Sequence, residues 1–238
     1  MSAEPKPIRW RHYAEYFATR IAVAFLQLLP LAWCERFSKK VGWLMADVLK
    51  FRYGTIHENL THVFPQKTSE QRQQLNRDMW GHLFLMVCEI AQASRKIHTT
   101  NWREFVDIRD KRLMTSFYLD WRPTVMVGGH LGNFEEAVYV TGILGIPTYA
   151  IARPLDNPLL HKWLTGFREC RGQFILPTSG SATKIQEVLH AGGILSLLGD
   201  QHAGNKGCWV DFMGRPASCH KAVALFTLSQ NAPMLVSY

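Results

Sequence analysis

The sequence predicts an α/β protein: a mostly parallel sheet flanked by helices, preceded by an N-terminal helical region suited to associate with a membrane. Three observations predict it. Beyond Thr124, short apolar runs alternate with stretches of helical periodicity. Before about residue 97 the pattern is helical throughout, and its most apolar part, residues 21–33, is bracketed by basic residues. The expected division is 1–50 for the N-terminal apolar and basic helices and 51–238 for the α/β domain.

The apolar run 21–33 falls short of the roughly 20 residues that a helical span needs. Extending it back to Tyr13 admits Glu15 and Arg20, and Pro30 would kink it. Lys6, Arg9 and Arg11 precede it and Arg36, Lys39 and Lys40 follow, so positive charge flanks both ends without a clear asymmetry. Trp10, Tyr13, Tyr16, Phe17, Trp33 and Trp43 surround the run with amphipathic rings. A helix lying on an anionic surface suits this pattern at least as well as a crossing, and a buried helix of a soluble bundle is the alternative. A long helix over 69–97 follows, with Thr68 or Ser69 as its cap. Leu83, Phe84, Val87, Ile90 and Ala91 recur at helical spacing and are expected to form core.

At 238 residues and 47% hydrophobic composition the chain can bury a sizeable core. A net charge of +8 points to anionic partners: nucleic acid, acidic phospholipid or an acidic carrier protein. Nucleic acid is disfavoured, because no recognised binding motif appears and the basic residues track the apolar segment. Cys34, Cys88, Cys170, Cys208 and Cys219 are scattered and form no CxxC pair, which speaks against a zinc site or a disulfide framework. His57 and His62 lie five apart and would diverge by about 140° on a helix, so no metal site is expected there. The Asn59 sequon matters only in a secreted chain.

In the second half, 124–127, 148–151, 174–176 and 194–198 read as strands, and 134–144, 158–170 and 181–190 as helices. Thr178, Ser179 and Ser181 are cap candidates for the last helix, and Gly192-Gly193 ends it. Such alternation builds βαβ units, whose strand ends carry the chemistry. One strand end reads Gly128-Gly129-His130-Leu131-Gly132-Asn133-Phe134-Glu135-Glu136. Its glycines permit a tight turn that presents His130. On one continuous helix His130 and Glu135 would not face each other. With His130 ahead of the helix and Asn133 opening it, the Glu135 carboxylate can fold back onto the imidazole Nδ1, leaving Nε2 as a general base. A structural histidine near glycines is the competing reading.

These residues, taken with others, resemble the bacterial lipid A biosynthesis acyltransferases, the late lauroyl and myristoyl transferases, and their relatives that acylate phosphatidylinositol mannosides. The likeness runs through Arg52…Ile56-His57-Glu58-Asn59-Leu60…Phe64-Pro65…Glu70, then Gly129-His130-Leu131-Gly132-Asn133-Phe134-Glu135, with Phe134 where tryptophan is common. It continues through Arg153-Pro154-Leu155-Asp156-Asn157-Pro158-Leu159, Arg168 and Gly172, Gly199-Asp200-Gln201, and Gly207…Val210…Phe212-Met213-Gly214-Arg215-Pro216-Ala217. The resemblance implies a glycerolipid-acyltransferase-like fold and an enzyme at the cytoplasmic face of the inner membrane. It implies acyl carrier protein or coenzyme A thioesters as co-substrate, no cofactor and no metal, and a membrane glycolipid acceptor. Family members continue some tens of residues past the position of Tyr238, so a C-terminally shortened domain is expected.

The mechanism that follows is direct transfer. His130 takes the acceptor hydroxyl's proton and Glu135 steadies the imidazolium. Arg153, Arg168 and the backbone N–H groups of Gly132 and Asn133 are candidate donors to the oxyanion or to acceptor phosphates. Asp200 and Gln201 end the 194–198 strand on the same sheet edge as His130 and suit acceptor hydroxyl recognition, a structural turn aspartate being the competing reading. No G-x-S-x-G elbow is present. Acylation of a lysophospholipid or an amine-bearing lipid, and noncatalytic lipid binding at the membrane, are the rival readings.

Overall fold

The computed structural model describes residues 7–120, 122–178 and 180–237. Lys6 and Ser179 lie outside them. The chain forms two compact units: one spans Thr19–Lys96, and the other joins the residues up to Ala18 to those from Ile97 onward.

The Thr19–Lys96 unit is helical. It contains the end of α1 (Trp10–Leu28), then α2 (Leu31–Trp43), a π-helical turn at Leu44–Val48, α3 (Tyr53–Val63) and α4 (Ser69–Lys96). Pro30 lies between α1 and α2 in an extended conformation (ψ 142°), so the apolar run is broken into two helices. Thr68 and Gln71 cap α4 reciprocally: the Gln71 backbone N–H donates to Thr68 Oγ1 (3.2 Å) and the Thr68 N–H to Gln71 Oε1 (2.9 Å). Helices α2 and α4 touch through glycine. A Cβ on Gly42 would stand 2.3 Å from the Arg77 carbonyl oxygen, and one on Gly81 3.0 Å from that of Ser38. Asp47 holds the pair together by accepting from Arg77 Nε and Nη2, both at 2.7 Å. The guanidinium hydrogen bonds keep the Asp47 carboxyl below its ordinary pKa against the opposing effect of desolvation.

This packing corrects the expected core stripe. Leu83 and Val87 are exposed, whereas the buried face of α4 carries Asn76, Gly81, Cys88, Gln92 and Ala93. Close helix approach selects small residues, and the amide nitrogen of the buried Gln92 is paired: Nε2 donates to the Leu26 and Leu29 carbonyls at 2.8 and 3.0 Å. Among the described residues no helix is long and apolar enough to cross a membrane. Trp10, Tyr13, Phe17, Ile21, Phe25 and Leu28 instead form an exposed stripe along α1 at spacings of three and four residues.

The second unit is the α/β part. After α5 (Lys111–Leu119), the elements run β1 (Thr124–Gly128), α6 (Phe134–Ile143), β2 (Thr148–Ile151), α7 (Pro158–Glu169), β3 (Gln173–Leu176), α8 (Ala182–His190) and β4 (Ile194–Leu198). These agree with the expected strands and helices to within a residue or so at each end. A hairpin of β5 (Cys208–Phe212) and β6 (Arg215–Cys219), α9 (Ala222–Ser229) and β7 (Met234–Val236) complete it. The main sheet has the order β3-β2-β4-β1-β7 and every pairing in it is parallel. Val125, Leu176, Ile185, Leu189, Leu195, Leu197 and Ala232 form its core, the residues on α8 packing one face of the sheet. Because all five strands run the same way, β1, β4 and β2 deliver their following loops to one edge.

Asn157 explains the Asn-Pro pair in the segment after β2. Its Oδ1 accepts from the Leu159 and Leu160 N–H groups (3.0 and 3.3 Å) as the N-cap of α7, with Pro158 in the first turn. Its buried Nδ2 donates to the His12 carbonyl (2.9 Å) and Glu15 Oε2 (2.8 Å), tying the start of α1 to α7.

Candidate active site

His130 leaves the carboxyl end of β1 and Asp200 the carboxyl end of β4. Register brings them together: Gly128 is the Cα partner of Leu198, and the Gly199 N–H donates to the Gly128 carbonyl at 3.0 Å. Asp200 then grips His130 twice, Oδ2 accepting from the His130 backbone N–H and Oδ1 lying against the ring Nδ1, each at 2.7 Å. Gly129 makes room for this, since a Cβ there would sit 3.2 Å from Asp200 Oδ2. Desolvation works to raise the Asp200 pKa, but the hydrogen bonds from the His130 ring and backbone outweigh it and hold the carboxyl below its ordinary value. An ionised carboxylate accepts a hydrogen bond from Nδ1–H, favouring the tautomer that leaves the Nε2 lone pair free. Gln201 Nε2 stands 3.3 Å from Nε2, and the edge of Phe134 packs on the imidazole at a centroid distance of 4.8 Å.

Glu135 is elsewhere. Its carboxylate pairs with Arg168 at the end of α7, Oε2 accepting from Nε at 3.3 Å and Oε1 from Nη2. The expected Glu135 contact to the imidazole is therefore replaced by Asp200. The reason is local. Asn133 caps α6 by accepting from the Glu136 N–H (3.1 Å), with its amide donating to Glu136 Oε2 (3.2 Å), so it is Glu136 that folds back over the helix start. Glu135, in the same turn, projects sideways onto α7. Pairing leaves both Glu135 and Arg168 with side chains 19% exposed.

Of the other residues singled out in the sequence, Gly132 takes φ +59° in the turn between His130 and α6, a conformation glycine adopts at little cost. Arg153 is exposed, two residues past β2 on the same sheet edge, and makes no ion pair among the described residues. The structure brings His130, Asp200 and Gln201 into one cluster and Glu135 with Arg168 into a second. Arg153 joins neither. Sequence reasoning read Asp200 for substrate hydroxyls and missed it as the partner of the His130 ring; no sequence signal states that β4 lies beside β1.

Near the second cluster, an open groove of about 540 Å³ runs between the N-terminal part of α1 and the length of α7. Tyr13, Tyr16, Phe17, Leu159, Trp163 and Phe167 line most of it, with Lys162 at its side. Phe167 also borders the Glu135–Arg168 pair.

The model of the family described as bacterial lipid A biosynthesis acyltransferase matches residues 4–237. The chain belongs to this family. No curated protein matches the chain. As a lipid A biosynthesis acyltransferase, it is a transferase of acyl groups, and the resemblance drawn from its motifs holds over nearly the whole length. The family's His-to-Glu spacing is kept in this acyltransferase, but the two side chains serve separate clusters linked through the first turn of α6.

Proposed function

We propose that this acyltransferase moves a fatty acyl chain from an acyl thioester, carried by acyl carrier protein or coenzyme A, to a hydroxyl of a glycolipid resembling a lipid A precursor. The observation that carries the reading is the His130–Asp200 contact at 2.7 Å, which leaves the imidazole Nε2 at the sheet edge as a base. His130 Nε2 takes the hydroxyl proton as the acceptor oxygen attacks the thioester carbonyl. The tetrahedral intermediate then collapses, the C–S bond breaks, and the imidazolium returns the proton to the leaving sulfur. Asp200 stays ionised and stabilises the imidazolium. Gln201 yields its place at Nε2 to the incoming hydroxyl.

Glu135 is a positioning residue in this scheme: it holds Arg168, whose remaining N–H groups serve the oxyanion or an acceptor phosphate. The N–H groups at Gly132 and Asn133 are further donors, and Arg153 is a further phosphate contact. The groove along α7 has the size and apolar lining for an acyl chain and reaches Phe167 beside Arg168. The exposed apolar stripe of α1, with Arg9 and Arg11 at its start, supports attachment to an anionic membrane, the cytoplasmic face of the inner membrane being the expected location.

Incubating the purified chain with acyl carrier protein or coenzyme A thioesters and a deacylated lipid A precursor tests the reading by mass spectrometry. A product heavier by one acyl group, absent with His130→Ala, is expected. Hydrolysis alone, or product of equal yield from His130→Ala, would overturn it.

A further inference from the structure

In the β5–β6 hairpin of the α/β unit every residue of β5 is exposed. Directly opposed residues of an antiparallel pair share a face. The register Phe212↔Arg215 and Val210↔Ala217 therefore sets Phe212, Val210 and Ala217 side by side with Arg215. Phe212, the last residue of β5, and Met213, the first of the turn, are 61% and 57% exposed. Met213 (φ 54°) and Gly214 (φ 77°) both take left-handed backbone, and Asp211 Oδ1 accepts from the Gly214 N–H at 3.0 Å, so the tip is a defined turn. Asp211 is also the single acidic residue between Ala203 and Lys221, a stretch that holds Lys206, Arg215 and Lys221, with His220 beside the last. All four of these side chains are exposed.

The base of the hairpin is rooted in the loop that begins at Asp200. The Ala203 N–H donates to the Ser218 carbonyl (2.9 Å), and Ser218 Oγ donates to the Gly204 carbonyl (2.5 Å). Gly207 lies so close that a Cβ on it would stand 2.0 Å from Ser218 Oγ. The hairpin thus grows from the strand end that supplies Asp200 and Gln201 to His130. Two other exposed leucines leave the same edge: Leu131 beside His130 and Leu155 beyond β2.

We propose that the hairpin inserts its Phe212–Met213 tip into an anionic lipid surface, with Lys206, Arg215, His220 and Lys221 against the headgroup phosphates, and so brings the His130 edge down on the membrane. The inference rests on the proposed lipid acceptor, which has to present its hydroxyl at that edge. Apolar tip with basic surround is the pattern an acidic bilayer complements. A second copy of the chain fits it poorly, since the same basic residues and a net charge of +8 would face each other.

A fluorescent reporter tests this in the full chain. The thiols outside the core, Cys170, Cys208 and Cys219, are changed to serine, the buried Cys34 and Cys88 are kept, and Phe212→Cys carries an environment-sensitive dye. With vesicles of mixed phosphatidylcholine and phosphatidylglycerol, the emission should shift to the blue and be quenched by nitroxide-labelled acyl chains, and less so with phosphatidylcholine alone. The unlabelled pair Phe212→Glu and Met213→Glu, checked for unchanged circular dichroism, should lower apparent vesicle affinity about tenfold or more. Co-sedimentation with the dye still reporting water would overturn the proposal, as would a blue shift without vesicles, the mark of self-association, or unchanged affinity in the double variant. Binding is read without turnover. Tip insertion with no acylated product would therefore count against the proposed reaction alone, and product formation with a water-exposed tip against the hairpin alone.

Discussion

Asp200 and Glu135 are two carboxylates near one histidine, and the structure uses them differently. Asp200 is 70 positions away in sequence, is 45% exposed at its side chain, and grips both the ring and the backbone of His130. Glu135 is five positions away, is 19% exposed, and is engaged by a guanidinium from α7. Proximity along the chain lost to adjacency in the sheet. A strand end points at its neighbour's loop, whereas a helix's first turn distributes successive side chains around the axis. The imidazole's partner was therefore decided by β4 lying next to β1.

Substitutions at the strand-end cluster should have the largest effects. His130→Ala is expected to lower kcat by about 10²–10⁴-fold without loss of folding, as the side chain is 35% exposed. Turnover together with a thermal melt checks this, and near-normal turnover would remove His130 from the chemistry. Asp200→Asn should fall in the same range, up to about 10⁴-fold by analogy with triads that lose their orienting carboxylate. A loss confined to KM would instead assign Asp200 to acceptor binding.

The helix-wall pair gives the sharper contrast. Arg168→Lys retains the charge but not the planar fork, and a fall of about 10²-fold in kcat is expected if its N–H groups meet the oxyanion. A raised acceptor KM at constant kcat would move it to ground-state binding. Glu135→Gln should cost stability first, about 1–3 kcal/mol, because it leaves a mostly buried guanidinium without its counter-charge. Denaturant midpoints measure that cost. If Glu135→Gln left stability intact but reduced kcat as much as Asp200→Asn, the division of labour between the carboxylates would be wrong.

The smallest effect concerns acid. The Asp200 pKa is lowered in the fold, so its contribution to stability is complete above the ordinary carboxylate value of about 3.9 and is lost as pH falls through the lower folded value. Melting temperatures of the parent chain and Asp200→Asn should therefore differ near neutrality and converge at the acid end. A gap that widened on acidification would contradict the His130–Asp200 hydrogen bonds.

Much of the α/β half was legible because its strands are short apolar runs and its helices carry local punctuation. The Gly192-Gly193 stop marks an end that depends on neighbours a few residues away, as Thr68 does for α4 in the helical unit. The hairpin escaped notice for a different reason: β5 is exposed along its whole length, and the first turn residue is methionine where glycine or asparagine would announce left-handed backbone. The stripe on α4 misled because glycine contact, and not large apolar side chains, sets the approach of α2.

By itself the sequence determined the fold class, the family and the placing of His130 at a strand end, all of which follow from local periodicity, turn chemistry and a motif read along the chain. The tertiary structure alone decided which carboxylate orients the imidazole, that Arg168 is the partner of Glu135, and that a basic hairpin stands on the loop after β4. Those contacts join residues 14 to 70 positions apart. They are set by strand order and helix facing, which depend on how the whole core packs and leave no mark in any short stretch of sequence.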